Sequence, residues 1–303
     1  MRALLALPGS PAPLSLADVP APEPGPGEVL VAVAASGVNR VDAATAAGEY
    51  HRLGLVRRDG PVGVGWEFAG VVERLGPGAG AGRPELRPGA RVAGLHDGFD
   101  VPTGAHADAV GVPAAAVALL PEGLGLTEAA AVPLNALTAA QALDRAGPPR
   151  GRLLVTGAAG AVGAWAVQLA ASAGWEVTAL ARSRDAAELR ALGAHRTVQD
   201  VPRGGCAAVL DAAVLGAAAL RALQDGGTLV GVRPGAEPVA PPGRSVVAVA
   251  VRADPVGLAR LLGSVRAGAL DVRVRALAPL AAAVAAVGAG TGPGTRGRTV
   301  LVD

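Results

Sequence analysis

The stretch LLVTGAAGAVGAWAVQLAASAGWEVTALARSRD, residues 153–185, decides the reading of this 303-residue chain. A short apolar run leads into three glycines, Gly157, Gly160 and Gly163, and a helix-like segment follows. Read back from Gly163, the spacing is Ala158-x-Gly160-x-x-Gly163. This is the dinucleotide fingerprint with alanine at its first glycine and Gly157 just before it. Its physical demands are specific. The chain must turn sharply from strand to helix, its backbone must approach a pyrophosphate at Gly160, and the helix must pack closely on the sheet at Gly163. Unpaired N–H groups at the helix N-terminus then face the phosphates. Glycines alone would also make an ordinary tight turn. The strand before, the helix after and a second strand at the expected distance favour a cradle of Gly157, Ala159, Gly160, Ala161, Val162 and Gly163.

That second strand, EVTALA, runs into Arg182, Ser183 and Arg184, where an NAD site usually ends in an acid. Arginine forks and a hydroxyl suit a 2′-phosphate, so the expected cofactor is NADPH rather than NADH. The competing acid, Asp185, is better placed to open the following helix. Surface charge alone accounts for one of the two arginines equally well. Other nucleotide sites lack parts: the chain has no lysine for a P-loop, and its single tyrosine, Tyr50, lies far upstream of any Tyr-x-x-x-Lys position.

Alternation of strands and helices continues beyond this stretch. Strands are expected at 152–156, 176–181, 207–211, 228–232 and 245–251, and helices at 161–173, 185–192, 214–223 and 255–267. Gly174 and Gly193 stand where helices should end. The pattern implies a parallel sheet with right-handed crossovers. Upstream, residues 1–120 read as short strands bounded by Pro and Gly, among them 28–36 and 68–76. MRALLALPGS is an opening strand rather than a leader, because Pro8 ends its apolar run. Residues 51–62 read as a mobile basic loop. Residues 126–143 read as a helix capped by Thr127 and interrupted at Pro133. After about 268 a strand, an Ala-rich helix and a last strand are expected to rejoin the first domain.

Composition bounds the function. Hydrophobic residues make up 51% and aromatics 2%, so the core must be built from Ala, Val and Leu. The net charge is +2 with scattered arginines, which argues against a nucleic-acid partner. The uncharged stretches 153–175 and 276–295 contain glycines, prolines and polar residues, unlike a membrane span. Cys206 is alone, which rules out an internal disulfide and fits a cytoplasmic location. One cysteine and four widely spaced histidines, His51, His96, His106 and His195, give no metal-ligand pattern. Without a Lewis acid, alkoxide oxidation lacks its usual support. Reduction of an already electrophilic quinone or enone needs only positioning and hydrogen bonds to the oxygen that gains charge.

Five segments carry a resemblance. These are PEPGPGEVLVAVAASGVNRVD (22–42), GWEFAGVVERLGPG (65–78), GAHADAVGVPAAAVALLPEGLGLTEAAAVPLNALTAAQAL (104–143), VTGAAGAVG (155–163) and the closing RGRTVLV. In this order they resemble the medium-chain dehydrogenases/reductases, in their zinc-independent quinone oxidoreductase-like branch. The resemblance implies an α/β chain with a GroES-like β-rich domain, residues 1–121 and 268–303, and a Rossmann doubly wound parallel-sheet domain, 122–267, with the reaction in the cleft between them. It implies that Asn39 holds nicotinamide and acceptor by its amide, that Tyr50 lines the acceptor pocket and donates a hydrogen bond or proton, and that Thr138 touches the nicotinamide end. Trp66 stands where zinc relatives keep histidine, Glu67 where they keep an acid, and Asp42 is structural. A homodimer through the strand near 245–251 is also implied. The expected activity is NADPH-dependent, zinc-free hydride transfer to a small-molecule electrophilic acceptor, a quinone or α,β-unsaturated carbonyl. The alternatives are an enoyl-thioester reductase of a biosynthetic pathway and a non-catalytic NADPH-binding sensor.

Overall fold

Residues 1–290 and 296–303 are described by a computed structural model. The uncharged stretch 276–295 therefore runs partly outside the described residues. The chain divides into two compact units, Met1–Leu134 with Ala253–Asp303, and Asn135–Arg252.

The first unit opens with β1 (Arg2–Ala6), β2 (Leu14–Asp18), β3 (Glu28–Gly37), α1 (Arg40–Ala46), α2 (Glu49–Arg52), β4 (Val62–Gly63) and β5 (Glu67–Leu75). It continues with β6 (Arg91–Leu95), β7 (Ala109–Pro113), β8 (Val117–Leu119) and α3 (Leu126–Ala129), and α4 (Pro133–Ala146) carries the chain onward. The MRALLALPGS segment is a strand as expected, paired antiparallel with β2 and β4. The inward side chains of β3, β5, β6 and β7, including Val29, Val31, Phe68, Val72, Val92, Val110 and Val112, form one core. Each such buried Val or Leu contributes about 1.5–3 kcal/mol.

Residues 126–143 form two helices rather than one. Pro133 has no N–H to give, so it is tolerated only where a helix begins, and it opens α4. Thr127 is not the cap of α3. The turn closed by Leu124 N on Pro121 O starts the helix earlier, and Gly125 O accepts its first bond, from Ala129 N at 3.0 Å.

In the second unit lie β9 (Arg152–Thr156), α5 (Ala161–Ser172), β10 (Glu176–Leu180), α6 (Ala186–Ala191), β11 (Arg196–Val198), β12 (Cys206–Asp211), α7 (Ala217–Leu220), β13 (Leu223–Gly231) and β14 (Ser245–Ala248). All six strands are parallel, in the order β11-β10-β9-β12-β13-β14. This is the doubly wound arrangement, whose strand order reverses between β9 and β12. β12 is buried along its whole length, as a strand covered on both faces must be. Gly174 and Gly193 follow their helices with φ of +94° and +104°, the left-handed residue a helix end favours. The helix expected over 214–223 shrinks to Ala217–Leu220, because the Asp211 carboxylate holds the amides of Leu215 and Gly216 in a loop. The strand expected at 245–251 ends at Ala248.

The chain then returns through α8 (Pro255–Arg266), β15 (Val274–Pro279), α9 (Ala283–Gly290) and β16 (Arg298–Val302). α8 is clustered with the first unit, its Arg266 bonded to Glu122 O at 2.7 Å. The tail rejoins that unit as the sequence implied. β16 pairs with β3, and Leu280, Ala283, Val287 and Leu301 fill a core with Leu4, Ala6, Val38 and Val64.

Candidate cofactor cradle and acceptor site

The glycine stretch forms the turn between β9 and α5. Gly157 takes φ +56°, a conformation that a side chain disfavours, and its carbonyl accepts from Gly160 N at 2.8 Å. Gly160 caps α5, whose first internal bond runs from Ala164 N to Gly160 O at 3.0 Å. The amides of Ala161, Val162 and Gly163 therefore belong to the helix end that has no intrahelical acceptors. A Cβ on Gly163 would lie 2.8 Å from Ala158 Cα and against Gly157 O, so the helix approaches the strand end as closely as backbone allows. A turn, a tight backbone and an amide-bearing helix start are what a pyrophosphate requires, and the residues present fit that group. The turn brings together all six cradle residues named from the sequence.

Arg182, Ser183 and Arg184 follow β10, the strand beside β9, and all three are exposed. Asp185 is buried immediately before α6, at 4% exposure, so the acid is turned inward while the two guanidinium groups and the hydroxyl face solvent. Thr138 lies buried in α4 at 6% exposure.

Sequence reasoning missed a latch on the other side of the strand-order reversal. Thr156 Oγ1 donates to Asp211 Oδ1 at 2.5 Å and accepts from Ala213 N at 3.0 Å. Asp211 also accepts from Leu215 N at 3.1 Å and Gly216 N at 2.8 Å. Between them Val214 sits at φ +57°, a strain of about 1–3 kcal/mol for a β-branched residue. An acid ending the strand run VLDAA was the available signal.

In the first unit the polar residues of β3, α1, β5 and β16 meet in a buried network. Ser36 Oγ lies 2.8 Å from His106 Nδ1, and His106 Nε2 lies 3.1 Å from Asp42 Oδ2. Asp42 Oδ2 accepts from Asn39 N at 2.6 Å, one half of a capping box on α1. Asn39 Nδ2 donates to Gly37 O at 2.9 Å and to Glu67 Oε1 at 2.7 Å, while its Oδ1 accepts from Arg298 Nη2. Glu67 Oε2 accepts from Leu134 N at 2.8 Å. Burial pushes the Glu67 carboxyl above its ordinary range, against the opposing pull of Arg298, the Asn39 amide and the Leu134 N–H. Burial likewise lowers the Arg298 pKa, with Glu67 and Asp42 opposing. Asn39, expected to hold the ligand by its amide, is 2% exposed and bonds Gly37, Glu67 and Arg298. The structural role expected of Asp42 is seen here, and Arg298, which no motif marked, joins it.

Tyr50, in α2, lies against Phe99 with ring centroids 4.5 Å apart and planes tilted by 48°, and Phe99 meets Trp66 edge-on at 4.8 Å. The stretch read as a mobile basic loop is tied down here, with Arg58 Nε on Asp100 Oδ1 at 2.7 Å and Arg57 N on Asp100 Oδ2 at 3.2 Å. His96 begins the same segment, its amide donating to Trp66 O at 2.6 Å. Burial lowers its pKa below 6.5, with Asp97 pulling the other way. A depressed histidine is neutral in the fold and must be charged on unfolding in acid. Its stabilising contribution is therefore complete above the unfolded value of 6.5 and is lost as pH falls through the lowered one. The variant His96→Gln is expected to lose less stability than the parent between about pH 6.5 and about pH 5. Urea midpoints at the two pH values check this, and parallel losses in both proteins refute it.

Among the described residues, no three His, Cys, Asp or Glu side chains converge as a metal-binding group. Nor is any helix among them long and apolar enough to cross a membrane.

Comparison with known proteins agrees with this geometry. The alcohol dehydrogenase GroES-like domain family matches residues 25–122. The 2-methylene-furan-3-one reductase of Solanum lycopersicum is 32% identical over 232 residues, covering 71% of this chain and 56% of that protein. The pikromycin polyketide synthase component PikAII of Streptomyces venezuelae is 42% identical over 168 residues, 55% of this chain and 4% of that protein. The chain thus spans a small fraction of the polyketide synthase and little more than half of the reductase. The quinone oxidoreductase structure from Coxiella burnetii superposes with a TM-score of 0.88 at 26% identity, over 100% of this chain and 99% of that one. A GroES-like β unit and a doubly wound parallel unit, matched over the whole chain by a quinone oxidoreductase structure, give this chain the fold of the medium-chain dehydrogenase/reductase superfamily, whose members it resembles.

Proposed function

We propose that the chain is an NADPH-dependent reductase that transfers hydride, without zinc, to a quinone or an α,β-unsaturated carbonyl. The observation that carries this reading is the pairing of the Gly157–Gly163 turn with an exposed Arg182-Ser183-Arg184 tip on the neighbouring strand. A reduced nicotinamide dinucleotide, when bound, supplies the hydride. The amides at the start of α5 hold its pyrophosphate. The arginines and Ser183 hold its 2′-phosphate, and Thr138 contacts it from α4. Tyr50 donates a hydrogen bond or proton to the acceptor oxygen as charge builds there. Asn39 serves as a positioning residue, because its buried amide keeps the turn from β3 into α1 rigid. The tomato relative supports the acceptor class, since a 2-methylene-furan-3-one carries a C=C bond conjugated to a ketone.

Replacing Arg182 and Arg184 together by alanine is expected to weaken NADPH binding about tenfold relative to NADH. Calorimetric titration with both nucleotides measures the ratio. An unchanged ratio, or a parent protein that prefers NADH, removes the 2′-phosphate assignment.

A second reading, reduction of an enoyl thioester, is favoured by the higher identity to the polyketide synthase segment. A panel of quinones, enones and enoyl thioesters separates the two. For the assembly we propose a homodimer through the outer edge of β14, the last strand of its sheet, which light scattering tests.

A further inference from the structure

The chain has six aromatic side chains, three Trp, two Phe and one Tyr. Phe68, Trp165 and Trp175 are buried at 0%, 5% and 1% exposure, and Trp66 at 7%. Tyr50 and Phe99 are the two aromatic residues left partly exposed, and their rings lie against each other with Trp66 beside Phe99. Aromatic surface is thus offered at a single place. With aromatics only 2% of the chain and the core built mostly of Ala, Val and Leu, a composition bias does not produce the cluster.

The place is also braced. Arg58 grips Asp100 by Nε at 2.7 Å and by Nη2 on the backbone carbonyl at 3.0 Å. At the far end of the segment, Gly63 N bonds Val101 O at 2.9 Å. Asp97 Oδ2 accepts from Ala253 N at 3.0 Å, and His96 N bonds Trp66 O at 2.6 Å. Phe99 therefore stands on a segment anchored at both ends, with its ring orientation set by two aromatic neighbours. A preorganised aromatic face discriminates by shape: it gains from a flat conjugated ring through offset or edge-on stacking and gains less from a flexible aliphatic chain.

We propose that Phe99, flanked by Trp66 and Tyr50, is a specificity-determining wall of the acceptor site that selects planar, ring-conjugated acceptors over aliphatic enones and enoyl thioesters. This rests on the reductase reading above and narrows its acceptor class. Phe99→Leu keeps apolar bulk and removes the π face. For the holoenzyme, the ratio of kcat/KM for 1,4-naphthoquinone to that for an aliphatic enone is expected to fall about fivefold, the change residing in KM. Binding of naphthoquinone without turnover, followed by calorimetry, is expected to weaken by the same factor while the thermal midpoint stays near that of the parent. An unchanged ratio with unchanged naphthoquinone affinity overturns the proposal, as does a parent protein that favours the aliphatic acceptor. If no acceptor oxidises NADPH, the reductase reading fails. The binding arm then decides the wall separately, Phe99-dependent naphthoquinone affinity upholding it and Phe99-independent affinity refuting it.

Discussion

Replacing Gly163 with valine is expected to weaken dinucleotide binding and to destabilise the second unit. The atoms a side chain at this position would strike are Gly157 O and Ala158 Cα, the latter at 2.8 Å from the Cβ. Both belong to backbone, so no flexible side chain can swing aside. The strain is relieved only by moving α5 away from the end of β9. Overfilling a packed interior costs about 1–3 kcal/mol. The displacement also carries the Ala161–Gly163 amides out of their aim, and a loss of that size corresponds to roughly ten- to a hundredfold in affinity. Calorimetric titration with NADPH and urea unfolding read the two effects. A variant that binds NADPH as the parent does would show that the turn holds no phosphate.

Arg298→Leu carries the largest expected cost in the first unit. Arg298 is 9% exposed, with Nε 4.0 Å from Glu67 Oε1 and Nη2 on Asn39 Oδ1, among the buried carboxylates of Glu67 and Asp42. Removing one member of a buried ion pair leaves the other uncompensated, which costs about 3–5 kcal/mol. The pH dependence identifies the cause. Burial already raises the Glu67 pKa, and loss of Arg298 removes a force that lowers it. A carboxyl whose folded value lies above its unfolded one stabilises fully below the unfolded value, about 4.3 for Glu, and loses that contribution as pH rises through the folded one. The deficit of Arg298→Leu should therefore be smaller near pH 4.5 than near pH 7.5, values chosen as roughly bracketing that range. Adding Glu67→Gln should recover part of it at the higher pH. Urea unfolding at the two values tests this, and a pH-independent deficit would assign the loss to packing instead.

Local signals were legible in the chain. The β9 strand, α5 and its glycine turn, and the returning tail all stand where pattern and glycine punctuation place them, because these features are written within some twenty residues. Short elements were less so. The break at residues 130–132 depended on where Pro133 could be tolerated, and the loss of most of the 214–223 helix depended on a carboxylate on β12.

The sequence by itself determined two fold classes in one chain, a glycine cradle and an arginine-bearing strand end, since each follows from side-chain size and charge at fixed short spacing. Only the tertiary structure decided which polar groups share a buried pocket and where the aromatics gather. Arg298 reaches Asn39 across 259 residues because β16 lies antiparallel to β3, with Val300 opposite Gly37. Tyr50, Trp66 and Phe99 meet because the segments carrying them are drawn together by long-range ion pairs and backbone bonds, whose partners no local periodicity encodes.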